Sequence, residues 1–358
     1  IYLAENHDFR KDMPNWNKPS FDASSWQTAT EVEKPDVIIS SQTMHPIRIT
    51  DFRKPIEVKK LSDTLYLYNF GQNWSGITTF TAQGEAGTKV KLRHGEQLDS
   101  RGKRLFDNNN TLFYQNVNEP LKYGKHPEDE LFQTDVLILD GKKNTFTPHF
   151  NYKGFQYVEV SSDKPLEQNK QDMTSHFIHT DLPQIGTFEC SDSLINRLWR
   201  ATNYSYLSNL VGYPTDCPHR EKNGWTGDAH LAIETALFNY DGITLYEKWL
   251  ADHRDNMYEN GRLHCIIPSG GWGSDIVDWT CSVTLIPWAI YEFYGDQTCL
   301  RDNYTEMKRH TDYWLSKFPD GLVGDAGLGD WVPHKAVANR ELSASIYPVS
   351  YTPRTLPP

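Results

Sequence analysis

A chain of 358 residues is long for one domain and supplies enough core for two or three. Its 36 basic and 47 acidic residues leave a formal charge of −11, which argues against a phosphate-binding or nucleic-acid-binding protein. No run approaches the roughly 18 apolar residues that a membrane-crossing helix needs, so no membrane partner is expected.

The aromatic supply, 11 Trp, 19 Tyr and 16 Phe, fits carbohydrate recognition through ring faces, although large β-rich cores use the same residues. Five cysteines, at 190, 217, 265, 281 and 299, are scattered and odd in number. Without CxxC or Cys/His zinc spacing, they are expected to be free thiols, with no metal and no cofactor. A catalytic role for Cys217 is disfavoured, because no paired base is identifiable. The first residues show no charged stretch followed by an apolar core, and the compartment (periplasm, exterior or cytoplasm) is left open.

Residues 1–50 are loop-rich and too short to close a domain of their own. From about 51 the apolar period becomes β-like, with strands expected at 65–70, 88–93, 136–139 and 155–160, separated by Gly and Asn/Asp clusters as in an antiparallel sandwich. The polar stretch 99–132 is expected to be a long loop or loosely paired hairpin. After 187 the period changes to helical, with helices expected at 191–212, 226–240, 244–260, 279–294 and 297–318, joined by short turns. Pro287 is expected to kink or split the fourth. The segment 339–346 starts a helix-like pattern that the prolines from Pro348 onward are expected to stop.

Between the first two helices lies Tyr213-Pro-Thr-Asp216-Cys217-Pro-His219-Arg220-Glu221-Lys222-Asn-Gly224-Trp225-Thr226-Gly-Asp228. Pro214, Pro218 and Gly224 keep it from being helical, and Thr226 is expected to cap the helix that follows. Glu221 offers a Brønsted acid or base, Asp216 and Asp228 offer acceptors for hydroxyls, Arg220 a planar fork, and Trp225 a ring face. Together they suit a polyhydroxylated ligand. The plainer alternative is a polar turn whose charges are solvated.

The run Asp-Cys-Pro-His-Arg-Glu-Lys-x-Gly-Trp-Thr-Gly-Asp resembles the signature of bacterial α-L-rhamnosidases, glycoside hydrolase family 78. That resemblance implies Glu221 as general acid, Asp216, Arg220 and Asp228 as holders of rhamnose hydroxyls, and Trp225 as an aromatic wall. It also implies three pieces: a remnant of a lectin-like β-domain at 1–50, a β-sandwich at 51–186, and at 187–358 the first half of an (α/α)6 barrel, truncated within the catalytic domain.

Two further loops pair carboxylates with indoles, Gly270 to Trp279 and Gly327 to Pro333. By resemblance Trp279 and Trp331 line the sugar site, with Asp278 and Asp330 as companions. A Trp capping a barrel end as ordinary core is the competing description. Glu96 and Glu159 are taken as structural, and His264 and His334 as hydrogen-bonded histidines near the pocket loops.

Glycoside hydrolysis needs one protonated carboxyl beside the leaving oxygen and a second carboxylate across the ring, and the resemblance implies inversion. Arg220 and Lys222, if paired with Glu221, would hold its proton too weakly. The role therefore demands that Asp216, Asp228 or Trp225 counter them. No match to the family's general base is visible, so the chain is expected to be catalytically incomplete, with Asp330 and then Glu341 as in-chain rivals. Rhamnose-containing glycosides or polysaccharides are the expected partners, and uncovered barrel helices are expected to favour self-association. A non-catalytic carbohydrate-binding or degenerate homologue, or another (α/α)6-barrel glycosidase, is the alternative.

Overall fold

The computed structural model describes residues 5–105, 132–269, 273, 275–331 and 339–351, with the side chains of 348–351 excepted. Most of the expected 99–132 loop, Trp272, His334 and residues 352–358 lie outside these. Strands come first: β1 (Asn6–Asp8), β2 (Ile47–Arg53), β3 (Glu57–Ser62), β4 (Leu65–Gln83), β5 (Lys89–Gly95), β6 (Thr134–Ile138), β7 (Lys143–Phe146), β8 (Lys153–Ser162) and β9 (Met173–Thr180). Helices follow: α1 (Ser193–Ser208), α2 (Thr226–Leu231), α3 (Ile233–Asn239), α4 (Ile243–Asn256), α5 (Val277–Thr280), α6 (Ser282–Tyr294), α7 (Gln297–Lys317) and α8 (Arg340–Tyr351). Strands followed by helices is the order that the change of period predicts.

The nine strands form one hydrogen-bonded sheet in the order β1-β6-β5-β8-β4-β9-β2, with β3 and β7 also on β4. One pair departs from the antiparallel expectation, since β1 runs parallel to β6. The 19-residue β4 runs through the whole sheet, pairing β3 and β8 along its first part and β7 and β9 along its second. Its register on β8 slips between Asn69 and Trp74, where Gly71 takes a φ of 71° that an L side chain resists. Inward residues alternate along the strands, so Tyr66, Tyr68, Phe70, Val90, Leu92 and Phe155 share one buried core. Strand β2 crosses position 50 and pairs β9, tying the first piece of the chain to this sheet.

The helices bury a second core around Leu245, Tyr246, Trp249, Ile286 and Ile290. Asp192 caps α1 through Leu194 N at 2.7 Å, and Asp296 caps α7 through Thr298 N at 2.8 Å. Thr226 is not a cap. It is the first residue of α2, and its hydroxyl donates to Cys265 O and Trp279 O, acceptors far along the chain. Nor does Pro287 split its helix: α6 runs through it, and the interruption falls at Cys281. Helix α8 likewise passes Pro348 and ends at Tyr351, because one proline removes a single ladder bond. No helix among the described residues is long and apolar enough to cross a membrane.

The helical part docks on the sheet through Thr180 N to Leu210 O (2.7 Å), Gly212 N to Thr180 Oγ1 (2.9 Å) and Ser75 N to Ser208 Oγ (3.1 Å). Leu194, Ile195 and Leu198 of α1 and Leu231 and Phe238 of α2 and α3 stay exposed. Such apolar helix faces lack the cover that a packed layer would supply.

Candidate active site

The loop between α1 and α2 is shaped by its backbone. Thr215 N reaches Asn209 O at 2.8 Å and reverses the chain. Asp216 and Asn223 then pair, Asp216 N to Asn223 O at 3.1 Å and Asn223 N to Asp216 Oδ1 at 3.0 Å, closing an excursion over Cys217 to Lys222. Lys222 ends it in the left-handed region, at φ 53°. Gly224 follows against Ile267, whose N–H reaches Gly224 O at 2.8 Å. A Cβ on Gly224 would stand 1.9 Å from Ile267 O, so only glycine fits there.

This shape brings the charged motif residues together. Trp225 Nε1 donates to Glu221 Oε2 at 2.9 Å, four residues apart in sequence. Burial pushes the Asp216 carboxyl up to about 7, and the charges of Glu221 and Asp228 push the same way against hydrogen bonds from Cys217 and Asn223. Asp228 is raised by crowding and by Glu221, although it still touches solvent, which makes its desolvation partial. Trp279 lies flat on the backbone of α2: a Cβ on Gly227 would meet its ring at 2.5–2.7 Å. Its Nε1 is buried without a partner in normal hydrogen-bond geometry among the described residues, yet lies near enough to Asp228 to oppose that carboxyl's rise. A cavity of about 640 Å³ opens between α1 and α2–α3, lined by Asp216 and Asp228 together with Thr202, Ser205, Tyr206 and Tyr246. Glu221 and Trp225 are not among its lining residues, and of the three motif carboxylates the two aspartates, both raised by the Glu221 charge, border the cavity.

An Asp216→Asn substitution is expected to flatten the stability profile between pH 4 and 7. The folded carboxyl holds its proton up to about pH 7 against an ordinary value of 3.8. Its contribution is therefore complete below the ordinary value and is lost as pH rises through 7. Partial exposure cuts this to roughly 1–2 kcal/mol, readable in urea melts across that range.

Arg220 Nε is buried without a hydrogen bond among the described residues. Asp278, expected as a pocket companion, is instead a strut: it is buried and accepts Leu328 N at 3.1 Å and Gly329 N at 2.7 Å. Just beyond those amides Asp330 and Trp331 are exposed, Trp331 to 69%. His264 is held by Tyr258 Oη at 3.1 Å and Gly273 O at 2.8 Å. All five cysteines are free. Glu159 is structural, clamped by Arg104 at 2.6 and 2.9 Å.

Glu96 belongs to the site's support. It accepts from Asn73 Nδ2 at 3.2 Å and lies 3.6 Å from His219 Nδ1. Lys222 points away from Glu221, towards the carbonyl and ring of Tyr152 on the sheet side. Neither contact has a signal in the sequence, since the partners stand 123 and 70 positions apart.

Three models of one family match the chain: the α-L-rhamnosidase N-terminal domain at residues 1–51, the bacterial α-L-rhamnosidase concanavalin-like domain at 59–179, and the bacterial α-L-rhamnosidase 6 hairpin glycosidase domain at 183–354. An α-L-rhamnosidase of Formosa agariphila is 31% identical over 93% of this chain and 35% of its own length. One from Streptomyces avermitilis is 29% identical over 97% and 32%. Among solved structures, the α-L-rhamnosidase of Dictyoglumus thermophilum superposes with a TM-score of 0.87 at 33% identity, covering 98% of this chain and 38% of its own. The Streptomyces avermitilis enzyme complexed with L-rhamnose gives 0.86 at 28% identity, covering 99% and 33%. This chain thus spans about a third of the length of the curated relatives it matches. The three matches follow one another from residue 1 to 354, and with the superposition they show that this chain belongs to the bacterial α-L-rhamnosidase family.

Proposed function

We propose that the protein belongs to the machinery that releases terminal α-L-rhamnose from rhamnosides, with Glu221 as general acid and net inversion at the sugar. The observation that supports this best is the Glu221 carboxyl held by the Trp225 indole at 2.9 Å beside two further carboxylates. An N–H on Oε2 leaves the transferable proton to Oε1, which then meets the leaving oxygen. Asp216, Arg220 and Asp228 take rhamnose hydroxyls, and Trp225, Trp279 and Trp331 offer ring faces to its C–H groups.

In this proposal the helices are the first half of an (α/α)6 barrel, and the exposed faces of α1 and α3 pack against its remaining helices. The base must stand roughly 6.5–9.5 Å from Glu221 with room for water. Asp330, exposed on a loop of this chain, is the in-chain rival for that role. These 358 residues alone are expected to turn over aryl α-L-rhamnosides slowly. Efficient release of β-L-rhamnose that Asp330→Asn abolishes would overturn that expectation.

Calorimetry with L-rhamnose tests the site directly. Above the Asp216 transition, at pH 8, losing one charged acceptor costs about 1.5–3 kcal/mol, so Asp216→Ala and Asp228→Ala are each expected to weaken binding about 10- to 100-fold. Unchanged affinity in both would remove rhamnose from this cavity. Faster hydrolysis of aryl glucosides than of aryl rhamnosides by an active form would point to a different glycosidase.

A further inference from the structure

Behind Glu221 the motif loop is anchored by a residue that the proton transfer described above does not use. Lys222 is only 5% exposed. Its Nζ donates to Tyr152 O and lies 4.2 Å from the centre of the Tyr152 ring, while its own carbonyl accepts from Tyr213 Oη at 3.2 Å. Tyr152 directly precedes β8, and the next residue, Lys153, is buried in an ion pair with Asp135 at 2.9 Å. One residue further, a Cβ on Gly154 would meet Pro218 at 2.9 Å and His219 at 3.0 Å. Three residues of the excursion, Pro218, His219 and Lys222, thus rest on the start of β8.

This anchor is expensive. Burial, with Lys153 adding repulsion, drives the Lys222 ammonium down to about 7, so holding it charged near neutrality weakens the fold. A methionine of similar length would fill the socket without that cost. The backbone is unfavourable as well, because a left-handed non-glycine residue costs about 1–2 kcal/mol. Two unfavourable features at the residue next to Glu221 call for an explanation other than stability. The one at hand is geometric, since adjacent Cα atoms are only about 3.8 Å apart and the turn at Lys222 sets the direction of the preceding side chain.

We propose that Lys222 is the positioning residue for Glu221: its amine, plugged into the Tyr152 socket of the sheet, fixes the left-handed turn that aims the Glu221 carboxyl at the Trp225 indole. The sheet thereby sets the geometry of proton delivery. Neither Lys222 nor Tyr152 touches the sugar in this account, which rests on Glu221 being the acid.

The test begins with a measurement that needs no turnover. The Trp225 indole N–H resonance of the ¹⁵N-labelled chain, assigned by its loss in Trp225→Phe and recorded at alkaline pH so that the acid has given up its proton, is expected to sit downfield and to move upfield in Glu221→Gln, because a carboxylate binds it more strongly than an amide. Lys222→Met is expected to move that resonance the same way, with the melting temperature held or raised and the other indole signals in place. Tyr152→Leu, which removes the ring but keeps the carbonyl, is expected to give a smaller shift of the same sign, and serves if Lys222→Met does not fold. In an active form, Lys222→Met should cost about 10²-fold in kcat on rhamnosides with poor leaving groups, far less on activated ones, with KM little changed. A Trp225 resonance indifferent to Lys222→Met but sensitive to Glu221→Gln would overturn the proposal. So would a lowered melting temperature with equal losses on both substrate types, the mark of a purely structural lysine. Failure of the functional reading looks different: Lys222 would still control the resonance, while no form bound rhamnose or cleaved rhamnosides.

Discussion

Replacing Glu221 with glutamine is expected to lower kcat on a natural rhamnoside by about 10²- to 10⁴-fold in any catalytically competent form, while rhamnose affinity stays within a few-fold. Glutamine keeps an oxygen for the Trp225 indole, so the 2.9 Å contact and the loop around it survive the change. What disappears is the proton. An alkoxide leaving group needs that proton in the transition state, whereas an activated phenolate departs without it. The loss should therefore shrink as the leaving group improves. Rates measured on an alkyl and a nitrophenyl rhamnoside side by side decide the matter, and equal losses on the two would remove Glu221 from the acid role.

Gly227→Ala is expected to damage the site without touching a charge. Gly227 sits in the first turn of α2, where helix propensity alone would favour alanine by up to about 1 kcal/mol. Against this, the new Cβ would stand 2.5–2.7 Å from three ring atoms of Trp279, well inside contact distance. That ring has little room to retreat, since Trp279 O receives the Thr226 hydroxyl at 2.9 Å and neighbouring Asp278 is buried on the 328–329 amides. Overpacking of this kind costs about 1–3 kcal/mol, so sterics outweigh propensity and the variant should melt lower. Trp279 should also shift away from Asp228, weakening rhamnose binding in calorimetry. An alanine variant with unchanged melting and affinity would show that the ring yields freely and does not help form the pocket.

Much of the architecture is legible in local patterns. The period-2 runs at 65–70 and 155–160 lie inside β4 and β8, and helical spacing at 297–318 matches α7 to within a residue. The proline rules fare less well. Pro287 and Pro348 stand inside helices, each removing only one bond of the ladder. Thr226 has the residue type of a cap, but two carbonyls distant in sequence, Cys265 O and Trp279 O, claim its hydroxyl.

The site divides along the same line. The sequence by itself determined which groups stand close together: between Tyr213 and Trp225, two prolines and a glycine forbid a helix, so Glu221, Arg220 and the Trp225 indole share one loop. Trp225 follows Glu221 by only four positions, and that proximity is built into the chain. Which group each one faces was decided only by the tertiary structure. Lys222, next to Glu221 in sequence, has a left-handed backbone and its amine on Tyr152. Asp278, chemically equal to Asp216, is taken up by the amides of Leu328 and Gly329 and supports a loop. The reason is physical: a buried polar group must find a partner, and here those partners lie 50 to 70 residues away, where no local periodicity can specify them.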